Sequence, residues 1–155
     1  MIDTPTLIQR LHALFRLDAD ASRAYQQAID NTDHLDVKNQ LQQFQADHER
    51  HLTDLTALLE KFGEPAPERK LGWKGFLLEG FTAIRSQTGT GGALKAMEAN
   101  EAVVNHRYRA VLDLDLPPDV RAVVDKNFQD EIRHLNWIRD TLRTRSWEHP
   151  HAPGP

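Results

Sequence analysis

Apolar residues recur at alternating steps of four and three along most of this chain, the spacing of helices that bury one seam. The first run reads Leu7, Leu11, Leu14, Asp18, Ala21, Tyr25 and Ala28. Thr4-Pro5 predicts its start, a hydroxyl cap followed by proline at the first helical position, and the polar cluster 31–33 predicts its end. A second helix is expected from Asp36 to Phe62, with seam Leu41, Phe44, His48, His51, Leu55, Leu58 and Phe62, stopped by Gly63. A third, over about 92–113, carries Leu94, Met97, Glu101, Val104, Tyr108 and Val111. Leu116-Pro117-Pro118-Asp119 opens a fourth to about Ser146, with seam Val120, Val124, Asn127, Glu131, His134, Ile138 and Thr141.

Between the second and third helices lies a long crossover. Residues 63–70 are a polar connection, and Trp73, Phe76, Leu77, Phe81 and Ile84 place one apolar side on a short amphipathic helix over 71–86. That helix is expected to pack across the bundle, the alternative being a homo-oligomer contact through Trp73, Phe76 and Phe81. Gly89-Thr90-Gly91-Gly92 lacks the lysine of a phosphate loop and is expected to be a turn. The proline-rich residues 147–155 read as a disordered tail, leaving 1–146 as one domain.

An internal repeat organises these helices. At the offset that separates Asp18 from Glu101, 83 residues, Tyr25 falls on Tyr108, Asp36 on Asp119, Val37 on Val120, Asp47 on Asp130, Arg50 on Arg133, His51 on His134 and Leu52 on Leu135. Each half is one helical hairpin, and two hairpins make an all-α four-helix bundle. In an antiparallel hairpin, residues equidistant from the turn sit side by side. Asp18 and His48 flank residue 33 equally, and Glu101 and Glu131 flank residue 116 equally, so all four reach one level, roughly 20 Å from their turns at 1.5 Å per residue. His51 and His134 lie one helical turn further on.

Composition narrows the chemistry. The chain has 155 residues, 27% of them charged, with a net charge of −4 and both signs interspersed, which favours neither nucleic acid nor an anionic membrane as partner. Absence of cysteine removes thiol catalysis and thiolate metal sites. Without a signal-like start or a long apolar run, the expected location is cytoplasmic. Six ionisable residues in an otherwise apolar seam, Asp18, His48, His51, Glu101, Glu131 and His134, require compensation, because an unpaired buried charge costs several kcal/mol. Either one or two divalent cations supply it, or the histidines hydrogen-bond the carboxylates in a metal-free network. Mixed oxygen and nitrogen donors suit iron or manganese, with zinc or a single ion as the alternative. Tyr25 and Tyr108, two turns beyond Asp18 and Glu101, are core fillers or hydroxyl donors to a ligand. Glu98, one turn before Glu101, reads as a solvated edge residue, the alternative being a further ligand. Asp47, Glu49 and Asp130 fall off the seam and read as surface charges, and Arg50 and Arg133 as their partners.

With Asp18, His48-x-x-His51, Glu101 and Glu131-x-x-His134 on successive helices, the chain resembles the ferritin-like superfamily, in particular small bacterial bundles of unassigned function. The resemblance covers residues 5–62 and 92–146, and the tyrosines resemble the bacterioferritin arrangement. It implies a di-iron or di-manganese site that reacts with oxygen or peroxide, or oxidises ferrous iron; in the reading as a metal-dependent redox protein, Glu101 is the expected bridge and Glu131 and His134 the terminal pair. His48 stands where the superfamily has glutamate, and Asp18 where glutamate is usual. The tail argues against a ferritin storage cage. Only Met1 and Met97 are methionine, and neither lies on the second helix, so no haem is expected. The competing reading is a non-catalytic, stress-associated or scaffold bundle working through its aromatic crossover helix. Hydrolysis at a zinc–histidine site is a third.

Overall fold

The computed structural model describes residues 1–69 and 89–149. Among these residues there are four α-helices and no strand: α1 Thr4–Asp30, α2 Leu35–Lys61, α3 Gly89–Leu112 and α4 Pro118–Thr144, followed by a 3-10 turn at Ser146–Glu148. They form a four-helix bundle. α1 packs against α2 and α3, and α4 closes against α3 and, more sparingly, α2. Every seam residue read from the sequence is buried except Phe62, which is half-buried. Burying each leucine or phenylalanine contributes about 1.5–3 kcal/mol, so the apolar stretches of the seam above and below the polar level hold the bundle together.

Helix ends follow local chemistry. The Asp3 carboxylate, one residue before the expected Thr4, accepts the Thr6 amide at 2.9 Å and caps α1, with Pro5 in its first turn. α2 ends at Gly63, whose φ of 79° lets the Gly63 and Glu64 amides return to the Glu60 and Leu59 carbonyls at 3.0 and 3.1 Å. α3 begins three residues earlier than expected, so Gly89–Gly92 is its first turn and not a loop. The reason lies in Thr90, whose buried hydroxyl accepts the Asp33 and His34 amides at 3.2 and 3.3 Å and so anchors α3 to the α1–α2 turn. Gly91 admits the Trp147 indole, and a Cβ there would meet Trp147 at 3.2 Å. Trp147 thus stands in the short Ser146–Glu148 turn, against the expectation that the disordered tail begins at that residue.

The start of α3 lies beside the end of α1, and the Ile2 amide reaches the Asp115 carbonyl at 3.0 Å. α1 and α3 are therefore antiparallel, and Lys61 and Gly89 lie at opposite ends of the bundle. The expected crossover helix over 71–86, with Trp73, Phe76 and Phe81, lies outside the described residues, as do tail residues 150–155. Among the described residues no helix is long and apolar enough to cross a membrane.

Candidate metal centre

The six ionisable seam residues meet at mid-bundle, each no more than 1% exposed. His48 Nδ1 lies 2.8 Å from Asp18 Oδ1, and its Nε2 lies 3.2 Å from Glu101 Oε1 and 3.4 Å from Glu131 Oε2. His51 Nδ1 is 3.1 Å from Asp18 Oδ1 and 3.0 Å from Glu131 Oε1. His134 Nδ1 is 3.3 Å from both Glu101 Oε1 and Glu131 Oε2. The helical spacing of three residues in His48/His51 and Glu131/His134 puts both members of each pair on the inward face.

Two groups among the described residues have ligand atoms close enough to share a cation. Asp18, His48, His51 and Glu131 form one; His48, Glu101, Glu131 and His134 form the other, with all ligand atoms in each within 4.8 Å of one another. Glu131 and His48 belong to both. Sequence reasoning favours Glu101 as the bridge; Glu101 belongs to one of these groups, whereas Glu131 belongs to both, its two oxygens facing different imidazoles.

The tyrosines cross the bundle. The Tyr25 hydroxyl on α1 donates to Glu101 on α3, and the Tyr108 hydroxyl on α3 donates to Asp18 on α1 at 2.5 Å. Burial first, then the neighbouring Glu101 and Asp18 charges respectively, hold both phenols well above their ordinary pKa, so they remain donors. Glu98 does not join them. Its side chain is 41% exposed and faces Arg139 at 3.9 Å.

Asp47 and Asp130, read from sequence as surface charges, instead accept from the far side of the histidines. His51 Nε2 donates to Asp130 at 2.9 Å, and His134 Nε2 donates to Asp47 at 2.8 Å. Arg50 bridges Asp47 and Asp130, as does Arg133. A signal was present: Asp-x-x-Arg-His-Leu occurs in both halves, so the acids repeat together with the histidines they hold. These contacts fix the tautomer. With Nε2–H given to a carboxylate, Nδ1 of each ring faces the core either as a lone pair or as the second N–H of an imidazolium.

Without a cation the imidazolium form prevails. Burial pulls His51 and His134 down, but the carboxylates of Asp18 and Glu131 lift His51 to about 9, and those of Asp47 and Glu101 lift His134 to about 10. His48 is likewise raised, burial being outweighed by Glu131, Asp18 and Glu101. Asp18 and Glu101 move the other way: burial opposes ionisation, yet their histidine partners carry both below the usual carboxylate range. Glu131 alone is raised, by burial that the His48 charge does not offset. Both Glu131 oxygens and Glu101 Oε2 are buried without a hydrogen bond, although imidazole nitrogens stand close by. These oxygens keep lone pairs that a cation seated among the imidazole nitrogens could take up in place of the imidazolium protons.

Residues 6–114 match the family described as "Domain of unknown function (DUF2383)". The chain belongs to this family. No curated protein matches the DUF2383 chain. In structure it is similar to a two-domain protein containing DJ-1/ThiJ/PfpI-like and ferritin-like domains from Anabaena variabilis, with a TM-score of 0.76 and 12% identity. The match covers 99% of this chain and 41% of the other, so the DUF2383 chain spans under half the length of that protein. The fold is thus a ferritin-like four-helix bundle, as its sequence resemblance implies.

Proposed function

We propose that this protein is a metal-binding ferritin-like bundle with a dinuclear iron or manganese site. Asp18 and His51 would hold one ion, Glu101 and His134 the other, and Glu131 and His48 stand between them. The observation that carries this reading is Glu131: a buried carboxylate without hydrogen bonds, shared by both candidate groups and surrounded by three imidazoles. Two redox-active ions, if held there, would supply electron transfer to or from a small substrate, for which oxygen, peroxide and ferrous iron are the candidates.

The protein's own groups contribute in definable ways. Asp130 and Asp47 orient His51 and His134 with Nδ1 inward. Tyr108 and Tyr25 each donate to one oxygen of a terminal carboxylate; Glu101 Oε2 is left without a partner, whereas Asp18 Oδ1 faces His48 and His51, whose protons an ion would displace. Three buried imidazolium protons balance three carboxylates in the metal-free state, so binding exchanges protons for cations and the core never holds three uncompensated negative charges. Affinity consequently rises with pH.

Elemental analysis of untagged wild type and Glu131→Ala, purified from iron- or manganese-supplemented cells, tests the reading. Two ions per chain in the wild type and none in the variant are expected. A single zinc in the wild type would point to a structural or hydrolytic site. No metal in either would leave a hydrogen-bonded polar core and a scaffold role.

A further inference from the structure

The repeat that builds the site is broken in a pattern that distinguishes its two sides. On one side the Phe44 ring lies on the His134 imidazole with centroids 4.2 Å apart, meets Tyr25 edge-on at 6.2 Å, and meets Trp137 edge-on at 5.6 Å. The Arg133 guanidinium sits 5.9 Å from the Phe44 ring centroid. These rings close the ground between His134 and the surface.

The repeat offset carries Phe44 to Asn127 and Trp137 back to Asp54. The frame around the two pairs is the same, since Tyr25–His134 and Tyr108–His51 both have ring centroids 6.2 Å apart. Where one side has two aromatic rings, the other has a carboxamide and a carboxylate. Asn127 is 0% exposed, and neither its Nδ2 nor its Oδ1 has a hydrogen-bond partner. Asp54 is half-buried, and its buried Oδ2 has none either. Buried polar atoms in native proteins are almost always partnered, so three orphans at two positions related to one aromatic contact require a cause. Asn127 sits one turn before Glu131, close to the Tyr108 hydroxyl but without a hydrogen bond of ordinary geometry to it. Asp54 stands one turn beyond His51 on the way to the surface.

We propose that Asp54 and Asn127 form the way in for a divalent cation to the Asp18–His51 side of the site, while the Phe44–Trp137 stack seals the matching path on the other side. The inference rests on the metal reading above and adds a direction to it. A cation shedding water needs oxygen atoms in its place, and the Asp54 carboxylate and Asn127 carbonyl offer them in sequence. The carboxylate selects for positive charge. The ion destined for Glu101 and His134 then passes Glu131, which belongs to both groups.

Stopped-flow absorption of cobalt(II) uptake by the metal-free full chain tests this. Relative to wild type, the isosteric Asp54→Asn variant and the double variant Asn127→Phe/Asp54→Trp, which rebuilds the aromatic seal, should take up cobalt at least ~10-fold more slowly, the scale on which a lined cleft alters on-rates. Final stoichiometry should stay at the wild-type value. Phe44→Asn/Trp137→Asp should speed uptake by opening the second path. Wild-type rates in Asp54→Asn overturn the proposal, whether or not the double variant folds. Absence of cobalt in the wild type at equilibrium overturns the metal reading itself, and with it this route. The final amplitude reports the one failure and the rate reports the other.

Discussion

The first hairpin, α1–α2, and the second, α3–α4, deliver the same frame and different contents. Tyr25/Tyr108, Asp47/Asp130, Arg50/Arg133 and His51/His134 are identical pairs in matching contacts. His48/Glu131, Phe44/Asn127 and Asp54/Trp137 are not. The identical pairs set the position and tautomer of the outer ligands. The unlike pairs put different charge and different side chains at matching places in the two halves. Repetition therefore supplies the scaffold of a symmetric site, and departures from repetition give its two sides separate chemical properties.

The largest expected effect comes from breaking the centre of that comparison. Glu131→Ala should abolish both ions, whereas His51→Ala should remove only the ion on the Asp18 side and leave one per chain by elemental analysis. Equal losses in the two variants would mean that Glu131 is not shared.

Next comes pH. His51 and His134 titrate in the folded protein at about 9 and about 10, above the ordinary value of 6.5. Their contribution to the stability of the metal-free protein is complete below pH 6.5 and is lost as pH rises through 9 to 10. The melting temperature of metal-free protein should therefore fall across that window, and that of the loaded protein should hold. Parallel curves would show that no cation replaces the protons.

Phe44→Ala should cost about 3–5 kcal/mol in urea unfolding, the usual cost of truncating a buried phenylalanine. Its counterpart Asn127→Ala should cost less than about 1 kcal/mol, having no hydrogen bond to lose. Comparable costs would mean that Asn127 is satisfied in solution.

Smallest and most symmetric, Asp47→Asn and Asp130→Asn should each weaken metal binding by about 10–100-fold, as loss of a carboxylate behind a ligating histidine does. Competition against a chelator measures both, and a loss confined to one of them would break the symmetry assigned to the frame.

Much of this was legible before any coordinates. The four-three spacing located the four α-helices of the described residues, and equal distances from the two turns brought Asp18, His48, Glu101 and Glu131 to one level, because an antiparallel hairpin leaves little freedom in height. What the spacing does not encode is lateral reach. Asp47 and Asp130 fall off the seam of their own helices, yet an imidazole is long enough to cross the core and meet them on the facing hairpin. Glu98 is the converse case: one turn from Glu101 is near in height, but its direction is outward, as the reading of it as a solvated edge residue has it. The sequence offers Glu101 and Glu131 at one height, and spacing alone does not say which of them presents its oxygens to different imidazoles. Gly89–Gly92 read as a turn from its glycines, and the Thr90 anchor that makes it helical is a tertiary contact.

The reciprocal bonds carry one more consequence. Tyr25 to Glu101, Tyr108 to Asp18, His51 to Asp130, His134 to Asp47, Arg50 to Asp130 and Arg133 to Asp47 all run from one hairpin to the other. A single hairpin could make none of them within itself, and two copies of one hairpin related by a twofold axis could make them all. The chain thus has the twofold arrangement of two hairpins joined end to end, and because both hairpins lie in one chain, the two halves are able to carry different residues at matching places, Phe44 in one and Asn127 in the other.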